Sequence, residues 1–119
     1  MDMKQRTETV ITKPKTILTV GCRETDRFSL GTLELSSGWP VISAETGELG
    51  IAMLNENSVR LIISENNLPD MEGIAFLKKA GNIQPEAICC LITAGAGPEI
   101  MAKAFKEGIS VFFEGWDSI

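Results

Sequence analysis

The sequence predicts an α/β fold in which helices cover both faces of a parallel β-sheet. Five short apolar runs rich in β-branched residues alternate with stretches that have helical periodicity. Alternation of this kind is typical of parallel strands joined by right-handed helical crossovers. The length of 119 residues allows one domain with one hydrophobic core. We therefore expect the order βαβαβαβαβ, ending on a strand.

The five predicted strands differ in how much apolar surface they offer. The first is nearly continuous in apolar and β-branched residues, as expected for a central strand that is buried on both faces. Pro40 has no backbone N–H to donate. Either the second strand lies at an edge of the sheet, or Pro40 stands at the start of the strand. The predicted strands are residues 15–20, 39–44, 59–64, 86–93 and 110–113.

Four helical segments connect these strands, at residues 24–37, 45–56, 70–79 and 98–106. Gly38, Gly81 and Gly108 follow helical stretches, where a glycine commonly ends a helix. Asp70 is predicted to cap the third helix, and Pro98 lies in the first turn of the fourth. A fifth helix, which would cover one sheet face, is missing from the pattern. We expect another segment of a longer chain, or a second copy, to cover that face.

The first predicted helix carries two apolar faces. Leu30 and Leu33 are three residues apart, and Phe28 and Leu35 are seven apart. At 100° per residue the two pairs point to nearly opposite sides of the helix. We expect one face to meet the sheet, and the other to be partly exposed or to contact another chain or domain.

The composition excludes several classes of function. A net charge of −5 without a run of Lys or Arg argues against binding to a nucleic-acid backbone. Histidine is absent, which removes histidine bases, histidine-activated nucleophiles and histidine metal ligands. No signal peptide or bilayer-length apolar run is present. We infer a cytoplasmic protein without nucleic-acid or membrane partners, in which residues 1–14 form a polar leader to a domain at residues 15–119.

The cysteines indicate a reducing compartment. Cys22, Cys89 and Cys90 are odd in number, two are adjacent, and no CxxC motif is present. This pattern does not describe a disulfide framework. We interpret the three residues as buried free thiols.

Residues 64–73, with the sequence SENNLPDMEG, join the end of a strand to a helix. This stretch resembles the receiver domains of two-component response regulators, where a strand ending in Asp precedes Met-Pro and a Met-Asp-Gly-like segment. Thr93-Ala94 after the fourth strand and Ala104-Phe105 to Gly108 before the fifth fit the same family. The resemblance covers about residues 15–117. It implies a flavodoxin-like, doubly wound sheet of strand order 2-1-3-4-5, with the final helix missing or truncated.

The resemblance also implies where the family's chemical site would lie. In the family, an acidic pair after the first strand and an acceptor Asp after the third hold Mg²⁺, while a hydroxyl residue and a Lys contact the phosphoryl group. The acidic pair falls on Gly21 and Cys22, the acceptor on Glu65, and the metal-binding carbonyl on Asn67. The hydroxyl position falls on Thr93, the switch aromatic on Phe112, and the Lys on Gly115, or on Glu114 if one residue is deleted.

Most of these positions lack the residue type that phosphoryl transfer requires. One carboxylate stands where the family has three, and the Lys is absent. The net charge of the site without a metal ion therefore changes from roughly −2 in the family to roughly −1 here. We therefore expect no catalytic residue, no metal, no cofactor and no phosphorylation. The alternative is a phosphoacceptor receiver that uses Mg²⁺ at a rearranged acidic site, in which Glu24 replaces the missing acid.

Glu65 leaves two interpretations open. Its side chain is one methylene longer than Asp and carries negative charge towards the place of an aspartyl phosphate. If Thr93 donates a hydrogen bond to it while Phe112 is buried, the module is biased towards one signalling state. Otherwise Glu65 is a solvated residue at a strand end. A redox role for Cys22 is a further hypothesis, which the neighbouring Glu side chains oppose because they disfavour a thiolate.

The predicted function is that of a receiver-like signalling module in a two-component or phosphorelay protein. It would not be an enzyme, and would act by protein–protein interaction through Ile100–Lys106 and Val111–Phe113. The expected partner is another signalling protein or an adjacent domain of the parent chain, and a homodimer is possible. A small-ligand or nucleotide site at Gly95-Ala96-Gly97 is a weaker alternative, because the full glycine fingerprint is lacking.

Overall fold

The computed structural model describes residues 15–23, 26–95 and 97–119. Their strands form a five-stranded, all-parallel sheet of order β2-β1-β3-β4-β5, as predicted. The strands are β1 (Thr16–Val20), β2 (Val41–Ala44), β3 (Val59–Glu65), β4 (Ile88–Ile92) and β5 (Val111–Phe113). The predicted leader at residues 1–14, Glu24 and Ala96 lie outside the described residues.

In the described part of the chain, four α-helices connect the strands. They are α1 (Arg27–Ser37), α2 (Gly47–Glu56), α3 (Gly73–Ile83) and α4 (Pro98–Lys106). A short 3₁₀ turn, Trp116–Ser118, follows β5 where the fold would otherwise place a last helix. The prediction of a missing final helix is confirmed. Among the described helices, none is both long and apolar enough to cross a membrane.

The sheet separates two apolar clusters, because alternate side chains of each strand point to opposite faces. The first cluster lies under α2, α3 and α4 and includes Phe76, which is fully buried. The second lies on the other face, next to α1. Its buried members are Ile17, Ile63, Cys90, Ile92 and Trp116. The 3₁₀ turn thus supplies a core side chain to the face that α1 shares with the missing final helix.

The first helix is only lightly anchored to the sheet. Among the described residues of α1, none is fully buried. Leu30 and Leu33 pack half-buried against the second cluster, whereas Phe28 and Leu35 are 87% and 88% exposed. The prediction of one sheet-facing side is confirmed, and the opposite side is exposed to solvent. Gly38 ends the helix in the left-handed conformation, as predicted.

The second strand lies at an edge of the sheet, as Pro40 predicts. Pro40 directly precedes β2, and its carbonyl oxygen accepts a hydrogen bond from the Ile17 amide at 2.9 Å. Pro40 therefore supplies a hydrogen-bond acceptor to β1, and its missing N–H does not weaken the sheet. The prediction that β1 is central is also confirmed, because β1 pairs with both β2 and β3.

The prediction that Asp70 caps the following helix was wrong. Its two carboxylate oxygens accept hydrogen bonds from the backbone N–H groups of Gly47 and Glu48, each at 2.9 Å. These are the first residues of α2, so Asp70 reaches across to cap a helix more than 20 residues earlier. Thr46 caps α2 as well, by accepting from the Leu49 amide. Proximity in sequence misled the prediction, because the loop after β3 lies beside the start of α2.

The third helix does not end at Gly81, which corrects a second prediction. Gly81 keeps a helical conformation inside α3, and the helix ends at Ile83 with Gln84 as its C-cap. The Gln84 side chain accepts from the Val59 amide at 3.1 Å and donates to the Leu54 and Asn57 carbonyls at 2.8 and 2.6 Å. These bonds fix the helix end from neighbouring elements and not from a local glycine.

Asp70 should make the stability of the fold depend on pH in the acid range. The Gly47 amide, followed by the Glu48 amide, holds the pKa of Asp70 below its ordinary value of 3.8. A carboxylate with a lowered pKa in the folded state stabilises fully above its unfolded pKa and loses that effect as the pH falls through the folded value. We expect Asp70→Asn to lower the urea midpoint at pH 7, and the difference from wild type to shrink below pH 3.8.

Asp26→Asn is the matched control for this experiment. Asp26 precedes α1 but makes no side-chain capping bond, so its substitution should leave the urea midpoint nearly unchanged at both pH values. Equal losses in the two variants at pH 7 would show that Asp70 contributes no specific cap.

Candidate functional site

The sheet brings several of the predicted site residues to one edge. Glu65 is the last residue of β3, Gly21 directly follows β1, and Thr93 directly follows β4. Because the strands are parallel and adjacent, their carboxyl ends meet at this edge. Gly21 and Glu65 are in direct contact, since a Cβ on Gly21 would lie 2.9 Å from the Glu65 Cβ.

The Glu65 carboxylate is bonded to a residue that the sequence interpretation did not single out. Its Oε1 accepts a hydrogen bond of 2.6 Å from the indole Nε1–H of Trp116. Trp116 is only 4% exposed and belongs to the second apolar cluster. The available signal was a large aromatic residue one position after the predicted lysine equivalent. Glu65 is therefore half-buried and paired, which differs from a solvated strand-end residue.

A hydrogen bond between Thr93 and Glu65, which one of the two interpretations of Glu65 required, is absent from the described residues. The Thr93 hydroxyl instead donates to the Phe113 carbonyl at 3.2 Å, and the Thr93 amide donates to the same oxygen at 2.8 Å. Thr93 continues the backbone pairing of β4 with β5, so its hydroxyl lies beside the same Phe113 carbonyl as its amide. Phe112 is half-buried and packs against the first cluster. The expected burial of Phe112 is thus partly met, but it is not coupled to a Thr93–Glu65 contact.

The backbone at Gly21 leaves no room for the family's acidic side chain. Gly21 has φ = +86°, a conformation that side-chain-bearing residues rarely adopt. A Cβ there would lie 2.7 Å from Leu68 Cδ2 and 2.9 Å from Glu65 Cβ. Such distances are well inside van der Waals contact. The close packing of Glu65 and Leu68 against Gly21 closes the position where the first carboxylate would stand.

The residues present do not fit a Mg²⁺ ion. Among the described residues, no group of three His, Cys, Asp or Glu side chains comes close enough together to hold a metal. The Asn66 Oδ1 atom is buried and lacks a hydrogen-bond partner among the described residues. The Asn66 amide oxygen is neutral and one oxygen of the Glu65 carboxylate already accepts from Trp116, so these two groups offer less negative charge than the acidic cluster that the resemblance implies for Mg²⁺. Glu24, the proposed substitute acid, lies outside the described residues.

The lysine-equivalent position likewise offers no cation. Gly115 and the preceding Glu114 carry no positive charge, and the 3₁₀ turn begins directly after them. The donor that reaches the Glu65 carboxylate is the neutral indole of Trp116. An indole N–H can satisfy a carboxylate oxygen but cannot neutralise its charge.

Cys22 lies in an environment that suppresses thiolate chemistry. Burial, followed by the charges of Asp26 and Glu65, raises the pKa of the Cys22 thiol to about 11. Burial also raises the pKa of Cys89, and that of Cys90 to about 12. The three thiols are free. This environment is the opposite of the electropositive surroundings that activate redox cysteines.

We therefore expect Cys22 to react slowly with iodoacetamide at neutral pH. With a pKa of about 11 the thiolate fraction at pH 7 is roughly 10⁻⁴, so the alkylation rate should rise about tenfold per pH unit between pH 7 and 10. Peptide mapping after timed alkylation measures the rate at each thiol. The urea-unfolded protein is the control, and the alkylation rate of its thiols should reach half its maximum near pH 9. A plateau for folded Cys22 below pH 8 would contradict the expectation.

The glycine-rich loop after β4 does not line the cavity that lies beside Gly21 and Cys22. A half-open cavity of about 670 Å³ lies beside Gly21 and Cys22, between α1 and the ends of β1 and β2. Arg23, Glu34 and Glu45 contribute charges of both signs to its lining, and Gly95 and Gly97 do not contribute. The nucleotide-site hypothesis for residues 95–97 therefore gains no support from the described residues.

Comparison with known proteins agrees with this geometry. A family model for the response regulator receiver domain matches residues 27–114. The chain belongs to the receiver domain family. Members of this family are signalling modules that interact with other signalling proteins or with adjacent domains.

The transcriptional regulatory protein GlrR of Escherichia coli is a sequence relative of this receiver domain. The two are 32% identical over 84 residues, which are 70% of this chain and 19% of GlrR. The receiver domain thus spans about a fifth of the length of this relative. What the rest of GlrR does is not a property of the present chain.

Solved structures resemble the receiver domain more completely. The signal receiver domain of an HD domain-containing protein from Pseudomonas fluorescens has a TM-score of 0.77 and 26% identity, covering 86% of this chain and 76% of that chain. The receiver domain of Saccharomyces cerevisiae Ssk1, solved with the histidine phosphotransfer protein Ypd1, has a TM-score of 0.71 at 18% identity, covering 85% and 78%. The second likeness supports the fold alone.

Proposed function

We propose that this receiver domain is a pseudo-receiver: it transmits signals by protein–protein contact and does not accept a phosphoryl group. The contact between Gly21 and Glu65 carries the proposal. It places a glycine with positive φ, packed against the acceptor-equivalent side chain, where the family has a metal-binding acid. Without that acid the acceptor position lacks the ion on which phosphoryl transfer depends.

The chemistry of the remaining groups supports the same proposal. Phosphoryl transfer relies on positioning and on neutralising charge with a metal ion and a cation. Glu65 presents a longer carboxylate than Asp, and its oxygen already accepts from Trp116. The cation position holds Gly115. The alternative, a phosphoacceptor that binds Mg²⁺ at a rearranged acidic site, depends on Glu24 and lacks support from the described residues.

The surface proposed for signalling is formed by α4 and β5. Phe105 is 67% exposed and Met101, one helical turn earlier, is 40% exposed. Exposed apolar side chains grouped on one helix favour contact with another protein. We propose a cytoplasmic partner that is another signalling protein or an adjacent domain of the parent chain. A homodimer through the same face is the second possibility.

Incubation with acetyl phosphate and MgCl₂, followed by intact mass measurement, tests the proposal. We expect the mass to remain unchanged, whereas a receiver domain with its acceptor Asp, treated in parallel, should gain a phosphoryl group. Trp116 gives a second readout, because Mg²⁺ bound at Glu65 would alter the fluorescence of the bonded indole. A phosphoryl adduct that disappears in Glu65→Gln would overturn the proposal.

A further inference from the structure

Trp116 has two distinct contacts. Its ring is buried in the second apolar cluster, together with Ile63 and Ile92 of the central strands. Its indole N–H donates to the Glu65 carboxylate at 2.6 Å, across 51 positions of sequence. One side chain therefore both covers part of the sheet face beside α1 and donates to the acceptor-equivalent carboxylate.

The turn that carries Trp116 is held mostly by its own bonds and by this one side chain. The Ser118 hydroxyl donates to the Gly115 carbonyl at 2.7 Å, and the Ser118 amide donates to the same oxygen at 3.1 Å. The flanking side chains of Asp117 and Ser118 are exposed. No other described hydrogen bond joins residues 116–119 to the sheet. The contacts of Trp116 therefore dock the turn together with its packing against α1.

A hinge for the turn lies at Gly115. The strand pairing continues up to Glu114, whose carbonyl accepts from the Ala94 amide at 2.8 Å. Beyond it, the hydrogen bonds of Gly115 within the described part of the chain all go to Ser118 in the turn. Rotation at Gly115 would therefore release the turn without breaking a bond of the sheet.

We propose that the Trp116–Glu65 hydrogen bond is an intramolecular latch that docks the C-terminal turn over the acceptor-equivalent position. The inference rests on the proposed function, since an acceptor that is never phosphorylated leaves its carboxylate permanently available to this indole. Docking covers Ile63 and Ile92, and release exposes them together with Glu65 and the indole. The latch gives the module a closed and a released conformation that a partner can distinguish, without phosphorylation.

Hydrogen exchange measured by NMR on the full chain tests the latch. Trp116→Phe keeps an aromatic ring but removes the N–H donor, and Glu65→Met keeps the side-chain length but removes the acceptor. A hydrogen bond to a charged acceptor is strong enough that its loss should speed exchange of the Ser118 amide, which donates to the Gly115 carbonyl within the turn, by about tenfold or more. Amides of the central strands should remain slower to exchange than the Ser118 amide in both variants, because they open only by global unfolding.

Two matched controls separate the latch from general loosening. Trp39→Phe alters another aromatic residue of the second cluster, one that lies over the Lys15 ammonium and makes no bond to Glu65. Glu114→Gln removes an exposed carboxylate next to the hinge. Neither control should change exchange in the turn. Glu65→Met leaves Trp116 in place, so its indole N–H signal still reports on docking if Trp116→Phe fails to fold.

The outcomes distinguish the latch from the proposed function. Unchanged exchange of the Ser118 amide in both Trp116→Phe and Glu65→Met would overturn the latch, because packing alone would then hold the turn. That result, with no phosphoryl adduct on the wild-type chain, would leave the pseudo-receiver proposal standing. An adduct on the wild-type chain overturns the pseudo-receiver proposal, whatever the exchange rates. Faster exchange in both variants without an adduct supports both.

Discussion

Gly73→Ala is expected to lower the free energy of unfolding by about 3 kcal/mol or more. Gly73 is the first residue of α3, and a Cβ at this position would overlap the backbone carbonyl oxygen of Glu65. The Gly73 amide donates to the Asn66 carbonyl at 2.7 Å, so the helix start is held tightly against the end of β3. A methyl group cannot be accommodated by turning a side chain, because the atom it meets belongs to the backbone.

Gly81→Ala is the matched control in the same helix. A Cβ on Gly81 would meet no atom within 4 Å, and Gly81 has no positive φ. Alanine favours the helical conformation over glycine, so this variant should gain about 0.5–1 kcal/mol. Urea denaturation at pH 7 measures both free energies of unfolding. Similar effects for the two substitutions would contradict the close approach at Gly73.

The fold was predictable because its signals are local. The alternation of apolar strands with helical periodicity is visible in any short window, and Pro40 limits the position of β2 without reference to other elements. Gly38 and Gly108 were interpreted correctly because a glycine in the left-handed conformation ends a helix within its own turn. The sheet order followed from resemblance to a family and not from the periodicity.

The predictions that failed depend on contacts between distant residues. Asp70 bonds to Gly47 and Glu48, and the end of α3 is set by Gln84, which bonds to residues 25 to 30 positions away. A local reading therefore assigned Asp70 to the helix that follows it and ended α3 too early. Side chains that serve a neighbouring element have no signature in their own sequence window.

The sequence indicated which candidate site residues lie at one sheet edge, but not which side chain donates a hydrogen bond to Glu65. Gly21 and Glu65 come together as expected from the parallel strands, whereas Thr93 bonds to the backbone of β5 instead of to Glu65. The true partner, Trp116, follows the last strand and is brought back only by packing on the sheet face. Which donor reaches a carboxylate depends on tertiary packing, and the resemblance assigned no role to Trp116.

Gly21→Asp restores the first acid of the family's metal site, yet it is expected to destabilise the fold by about 3 kcal/mol. Two effects add in this variant. A side chain at φ = +86° costs about 1–2 kcal/mol, and overlap of the new Cβ with Leu68 and Glu65 costs about 1–3 kcal/mol. Urea denaturation measures the sum. Gly108→Asp isolates the first effect, because Gly108 has φ = +88° but a Cβ there would meet no atom within 4 Å.

Gly21→Asp also tests whether single substitutions can restore the metal site of the family. Two results are expected together: Gly21→Asp loses clearly more stability than Gly108→Asp, and MgCl₂ leaves the fluorescence of Trp116 unchanged. The packing around Glu65 would then exclude the metal even with an acidic residue at position 21. Wild-type stability together with a Mg²⁺-dependent fluorescence change would contradict this, since the backbone would then relax to accept the acid. On the proposed function, the expected result would attribute the lack of phosphoryl transfer to the backbone at Gly21, because an acidic side chain alone would not reverse it.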